Sequence, residues 1–154
     1  RGCGATGTNA FQIALGLKGD IDVSLAHARF SGVPQGENRI PGALENVVTA
    51  GLTLEPSDTG LYTAVRLRHF GEYPLVEDNS VRADPTSLVT VSAGWSFGAF
   101  RVGASLLNAF DTKDADIQYF YGSRLPGEPL GGIEARHIHP VEPRQVRVTV
   151  SWGL

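Results

Sequence analysis

Apolar and polar residues alternate one by one over much of the chain, most regularly at its end. In the strand near 144–154, Val146, Val148, Val150, Trp152 and Leu154 fall on one side, and Arg147, Thr149, Ser151 and Gly153 on the other. An extended backbone sends successive side chains to opposite faces, so this segment reads as a strand with one apolar wall and one polar wall. Six earlier segments follow the same rule. Near 88–97, Val89, Val91, Ala93, Trp95 and Phe97 oppose Thr90, Ser92, Gly94 and Ser96; near 99–110, Phe100, Val102, Ala104 and Leu106 oppose Arg101, Gly103 and Ser105. Near 46–54 the apolar set is Val48, Ala50, Leu52 and Leu54, and near 61–70 it is Leu61, Val65 and Leu67 against Arg66 and Arg68. Near 11–17 it is Phe11, Ile13, Leu15 and Leu17, and near 21–30 Ile21, Val23 and Leu25 begin a pattern that blurs at His27 and Arg29. The pattern predicts an all-β, antiparallel meander of seven strands.

The connections alternate in length. Lys18–Asp20, Glu55–Gly60 and Gly98 are short and rich in turn residues, whereas Ser31–Glu45, Gly71–Ser87 and Asp111–Pro143 are long. Short and long links in strict alternation are what an outer-membrane β-barrel shows, with short periplasmic turns and longer outer loops. A soluble sandwich has no reason to gather every long loop at one end. Bacterial barrels close with an even number of strands, so seven strands predict part of a larger barrel. In this scheme Arg1–Asn9 belongs to an outer loop, and further strands lie upstream of the chain. The absence of any Met in the sequence accords with that expectation.

Composition narrows the classes further. The 13 Lys+Arg against 16 Asp+Glu, a formal charge of −3 over 154 residues, give no basic face for nucleic acid. Mean hydropathy near zero is too polar for a helical membrane protein and fits strands with one lipid-facing and one water-facing side. No run approaches the roughly 18 apolar residues of a spanning helix, and no secretory leader pattern follows Arg1. Cys3 is the one cysteine, so a disulfide framework is excluded. Serines lack a Gly-x-Ser-x-Gly elbow and no histidine is placed beside a candidate serine, so neither catalysis nor a cofactor is expected. His137 and His139 share a side of an extended segment; without a third ligand at recognised spacing they read as a strand-end pair rather than a metal site. Asp111, Asp114 and Asp116 lack the glycine and bidentate Glu of a calcium loop and read as solvated loop acids.

Five stretches resemble one family. Ile40–Ala43, Val65–Gly71, Leu107–Asp111, Asp116–Pro129 and His137–Arg144, in that order before the terminal strand, are similar to the C-terminal barrel of TonB-dependent outer-membrane receptors. The resemblance covers Ile40 to Leu154. It implies a barrel of the 22-stranded type with a plugged lumen, placed in the outer membrane and importing scarce nutrients such as iron chelates or cobalamin. It further implies the lipid bilayer as a partner, coupling to the TonB system through an N-terminal part beyond this chain, and recognition of the C-terminal strand by the barrel-assembly machinery. Neither a plug nor a TonB-binding motif occurs within the chain, so these strands by themselves are not expected to transport.

The expected lipid-facing residues are Val48, Leu52, Val65, Leu67, Val89, Val91, Trp95, Val102, Val146, Val148, Val150 and Trp152. Arg66, Arg68, Arg101 and Arg147 fall on the polar side and point into the lumen, either toward an anionic chelate or plug, or paired with lumenal acids. Tyr119, Phe120 and Tyr121 read either as part of a substrate mouth, where aromatics grip at low entropic cost, or as loop packing and girdle. The expected substrate contacts are Arg66, Arg68, Tyr119 and Tyr121. Two other readings stand beside this one. The first is a small stand-alone barrel, a pore or adhesin, completed by an eighth strand from Arg1–Asn9 or Asp116–Arg124; the second is a soluble β-barrel holding a small ligand. The substrate itself is not legible in the sequence.

Overall fold

The computed structural model describes residues 2–14 and 16–153. Nine strands follow one another: β1 Gly2–Ala14, β2 Leu17–Ala28, β3 Asn46–Leu54, β4 Leu61–Phe70, β5 Thr86–Phe97, β6 Phe100–Leu107, β7 Ala115–Ser123, β8 Ile133–Pro140 and β9 Gln145–Trp152. Seven form one antiparallel sheet in the order β1-β2-β3-β4-β5-β6-β9, and β7 and β8 pair only with each other. Consecutive strands lie side by side except where the β7–β8 hairpin is inserted between β6 and β9. Among the described residues β1 and β9 are open edges.

The register lays the alternation into continuous rows. Gly19, Leu52, Val65, Val91, Leu106 and Val146 align across six strands, and Leu61, Trp95, Val102 and Val150 align across four. Because directly paired residues share a face, every apolar set falls on one side of the sheet. That side is bare: Leu52 is 50% exposed and Val148 64%, with Val65, Leu67, Val91, Trp95, Val102, Val146, Val150 and Trp152 exposed as well and Val48 and Val89 half-buried. The buried apolar cluster lies elsewhere, in the long connections, where Tyr73, Leu75 and Ala83 pack with Val81 and Phe120.

Three boundaries differ from the periodicity. The outer-loop reading of Arg1–Asn9 gives way to strand: β1 starts at Gly2 and pairs with β2 along its length. Its faces are filled by Ala5, Gly7, Thr6 and Thr8, residues too small and too alike to register as alternation. Lys18–Asp20, expected as a turn, are the start of β2, and Gly16 at φ +79° stands in the reversal before it, a conformation glycine adopts without steric cost. The stretch 111–143, expected as one long loop, contains the β7–β8 hairpin. That hairpin stands outside the wall sheet, so Asp116–Arg124 supplies no eighth wall strand. Leu15 and Leu154, assigned to the apolar face by sequence, lie outside the described residues, as does Arg1.

All three long connections lie at one end of the strands and all three short ones at the other. Near the end with the short connections, Trp95, Phe97, Phe100 and Trp152 form a chain of neighbouring rings with centroids 4.9, 5.7 and 6.2 Å apart. Trp95 Nε1 donates to the Thr59 carbonyl at 2.9 Å, so the indole carries an apolar body with its polar tip satisfied at the turn.

Candidate functional site

On the polar face the strands place charge over glycine. Asp20 on β2, Gly51 on β3 and Arg66 on β4 are successive register partners. Arg66 Nη1 donates to Asp20 Oδ2 at 2.7 Å, an ion pair that spans the intervening strand. It exists because Gly51 has no side chain: a Cβ there would lie 2.7 Å from both Arg66 Nη1 and Asp20 Oδ1. Tyr62 uses the same device. Its ring lies over Gly94 on β5 and its hydroxyl reaches Gly103 on β6, so an aromatic ring covers two glycine gaps in the ladder. Ser92 and Ser105 hydroxyls lie 2.9 Å apart across β5 and β6.

Arg66 and Arg68 line a cleft of about 630 Å³ at the loop end of this face, together with Phe70, Thr90, Asn108, Asp116 and Glu142. Of the four arginines placed on the polar side by sequence, Arg66 pairs with Asp20 and Arg101 donates to the Ser96 hydroxyl at 3.2 Å. Arg68 and Arg147 make no ion pair among the described residues, and Asp22, in the same register row as Arg68, accepts from the Thr49 hydroxyl at 3.3 Å.

Tyr119 and Tyr121 do not line that cleft. They project from one face of the β7–β8 hairpin, 57% and 52% exposed, and Tyr121 stacks on His137 with centroids 3.9 Å apart. The two histidines of His137–His139 are turned apart. His137 Nε2 donates to the Tyr121 carbonyl at 3.3 Å, toward the hairpin tip, whereas His139 Nδ1 lies 2.8 Å from Asp116 Oδ1 at its base. No group of three or more His, Cys, Asp or Glu suited to a metal occurs among the described residues.

The loops are cross-braced by charge. Glu45, before β3, receives Arg39 at 2.5 Å and Arg82 at 2.7 Å, and Arg82 also reaches Glu72 at 3.3 Å. Burial alone would raise the Glu45 carboxyl, but the Arg82 hydrogen bond and the charges of Arg82, Arg39 and His27 outweigh it and hold it below the usual glutamate value. The same contact raises Arg82. Asp111 is also lowered, first by the Arg144 backbone N–H and then by Lys113. Asp111 therefore acts as a fixed acceptor at the entry to β9.

Sequence reasoning missed Asn108. It is 7% exposed and adopts φ +46°. Its side-chain amide donates to the carbonyls of Thr112 and Glu142 at 3.0 and 2.9 Å, and its Oδ1 accepts from the Thr112 N–H at 2.9 Å. One residue thereby clamps both ends of the long insertion between β6 and β9. The signal was present in the stretch Leu107–Asp111, since Asn is enriched in left-handed turns.

No family model matches the sequence, and no curated protein does. Among solved structures the chain is similar to the ferric yersiniabactin uptake receptor FyuA from Yersinia pestis, with a TM-score of 0.71 and 16% identity over 98% of this chain. The chain shares the fold of part of that receptor. It spans 23% of the length of FyuA, and with identity this low the likeness bears on architecture alone.

Proposed function

We propose that the chain forms barrel wall and outer mouth of an energy-coupled outer-membrane receptor that imports scarce nutrients such as iron chelates or cobalamin. The observation that carries the reading is the two-sided sheet: a bare apolar face, a polar face with arginines, and every long connection at one end of the strands. In lipid each backbone N–H and C=O must be paired within the protein, which strands achieve by pairing side by side. From Val89 to Phe97 the apolar residues of β5 extend about 26 Å at ~3.3 Å per residue, on the scale of the ~25 Å apolar band of such barrels before tilt shortens it. The ring chain of Trp95, Phe97, Phe100 and Trp152 matches an interfacial girdle. The fold shared with part of FyuA accords with wall strands of a larger barrel.

In this reading the twelve residues Val48, Leu52, Val65, Leu67, Val89, Val91, Trp95, Val102, Val146, Val148, Val150 and Trp152 meet acyl chains. Arg66 and Arg68 face the lumen near the mouth, where Arg68 offers an anionic ligand its free guanidinium, and Tyr119 and Tyr121 supply ring faces above it. Coupling to the TonB system belongs to a receptor's plug and N-terminal segment rather than to these strands. The β9 strand is what the barrel-assembly machinery engages.

Reconstitution in vesicles of dibrominated phosphatidylcholine tests the assignment. Fluorescence of Trp95 and Trp152 should be strongly quenched relative to unbrominated vesicles. Unquenched emission from protein that floats with the vesicles would sink the membrane reading.

A further inference from the structure

Hairpin β7–β8 pairs with no wall strand; it meets β5 at its base, where the Thr86 hydroxyl donates to the Ala115 carbonyl, and it is fastened to segment 71–85 by contacts that imitate a strand pair. Gln118 is 3% exposed. Its Oε1 accepts from the Asp84 N–H at 3.1 Å and its Nε2 donates to the Asp84 carbonyl at 2.9 Å. A single side-chain amide thus satisfies both backbone groups of one residue. The Gln118 backbone N–H donates to the Tyr73 hydroxyl at 3.2 Å. Phe120, two residues on and on the same side of β7, packs against Tyr73, Leu75 and Ala83. Arg136, the register partner of Phe120, pairs with Asp84. Alternation then forces Tyr119, Tyr121 and His137 onto the opposite side, where the first two are exposed.

We propose that Gln118 is a positioning residue that keys the hairpin to segment 71–85, so that the mouth presents Tyr119, Tyr121 and His137 as a fixed aromatic platform rather than as a closing lid. The platform's role toward a ligand rests on the transport reading above; its rigidity does not. Swinging the hairpin away would strip Gln118 and Asp84 of their partners and open the Tyr73 cluster to water, so closure by hinge motion carries several penalties at once.

Spin labels on Glu77→Cys and Leu130→Cys, with Cys3→Ser to remove the native thiol, report the separation of the two loops in the protein in detergent, without ligand. The expected result is one narrow distance distribution. Gln118→Leu should at least double its width and speed hydrogen exchange at the Asp84 and Gln118 amides by about tenfold or more, the equivalent of losing one or two hydrogen bonds. Tyr73→Phe, which keeps the ring packing, should speed exchange at Gln118 while leaving Asp84 unchanged, a selectivity that packing alone does not produce. A broad or two-peaked distribution in the unsubstituted loops would overturn the proposal, as would exchange that ignores both substitutions. Should Gln118→Leu not fold, the Cys-pair distribution and Tyr73→Phe still decide. Since no ligand enters the measurement, its failure is separate from a failure of the lipid-quenching experiment.

Discussion

Gly51 and Asn108 show how much can rest on single positions that look neutral in the sequence. The Asp20–Arg66 pair runs over Gly51, and any side chain there takes the space of the guanidinium. Arg66 is more than half exposed, so Arg66→Ala should cost under about 1 kcal/mol. Gly51→Val should remove the same pair and add strain. In a urea series on detergent-folded protein, the double substitution should therefore cost less than the sum of the two single ones; strict additivity would show that the pair contributes nothing. Asn108 carries more. Asn108→Ala strands two carbonyls and an N–H in a nearly closed site, and a loss of about 2 kcal/mol is expected, read as a lower unfolding midpoint with unchanged slope.

At the scale of elements, Glu45 ties the β2–β3 connection, through Arg39 within it, to Arg82 of the β4–β5 connection. Its carboxyl is held below the ordinary glutamate value, so the brace is fully present above that value, about 4.3, and is lost as pH falls through the lower folded value. Limited proteolysis within 71–85 should therefore accelerate as pH drops below about 4.3. Glu45→Gln should be cut readily at neutral pH and lose most of that acid-dependent step. A step of equal size in both proteins would place the acid response elsewhere. The strand limits carry a related lesson. β1 was invisible over its first nine residues because Gly, Ala and Thr give period-two burial no contrast, whereas β9 was plain because Val and Trp alternate with Arg, Thr and Ser.

At the scale of the molecule, the proposed membrane placement turns on which side of the sheet would meet lipid. A cation on the acyl-chain side of a barrel strand costs about 2–4 kcal/mol near the midplane, and one on the lumenal side costs little. Val148→Arg should thus fold poorly in vesicles while Thr149→Arg, its neighbour on the other face, should fold normally. Equal yields by protease protection, or the reverse order, would contradict the assignment of faces. The same test bears on Arg68 and Arg147, which stand on the polar side without an ion pair among the described residues.

Periodicity, turn chemistry and connection length were sufficient for the two-faced meander, for the apolar set from Val48 to Trp152, and for the gathering of long loops at one end of the strands. These are local properties: backbone geometry fixes which way each side chain points, whatever lies beside the strand. Register and docking are not local. The Asp20–Arg66 pair joins residues 46 apart, the Asn108 bond to Glu142 34 apart, and the Gln118 bond to Tyr73 45 apart. Each depends on two segments meeting at one particular offset, and a change of one residue would turn the partners to opposite faces. For that reason the seven-strand wall could be read from the chain, while the hairpin's separate pairing, the turned-apart histidines and the Gln118 fastening were decided only when the strands came together.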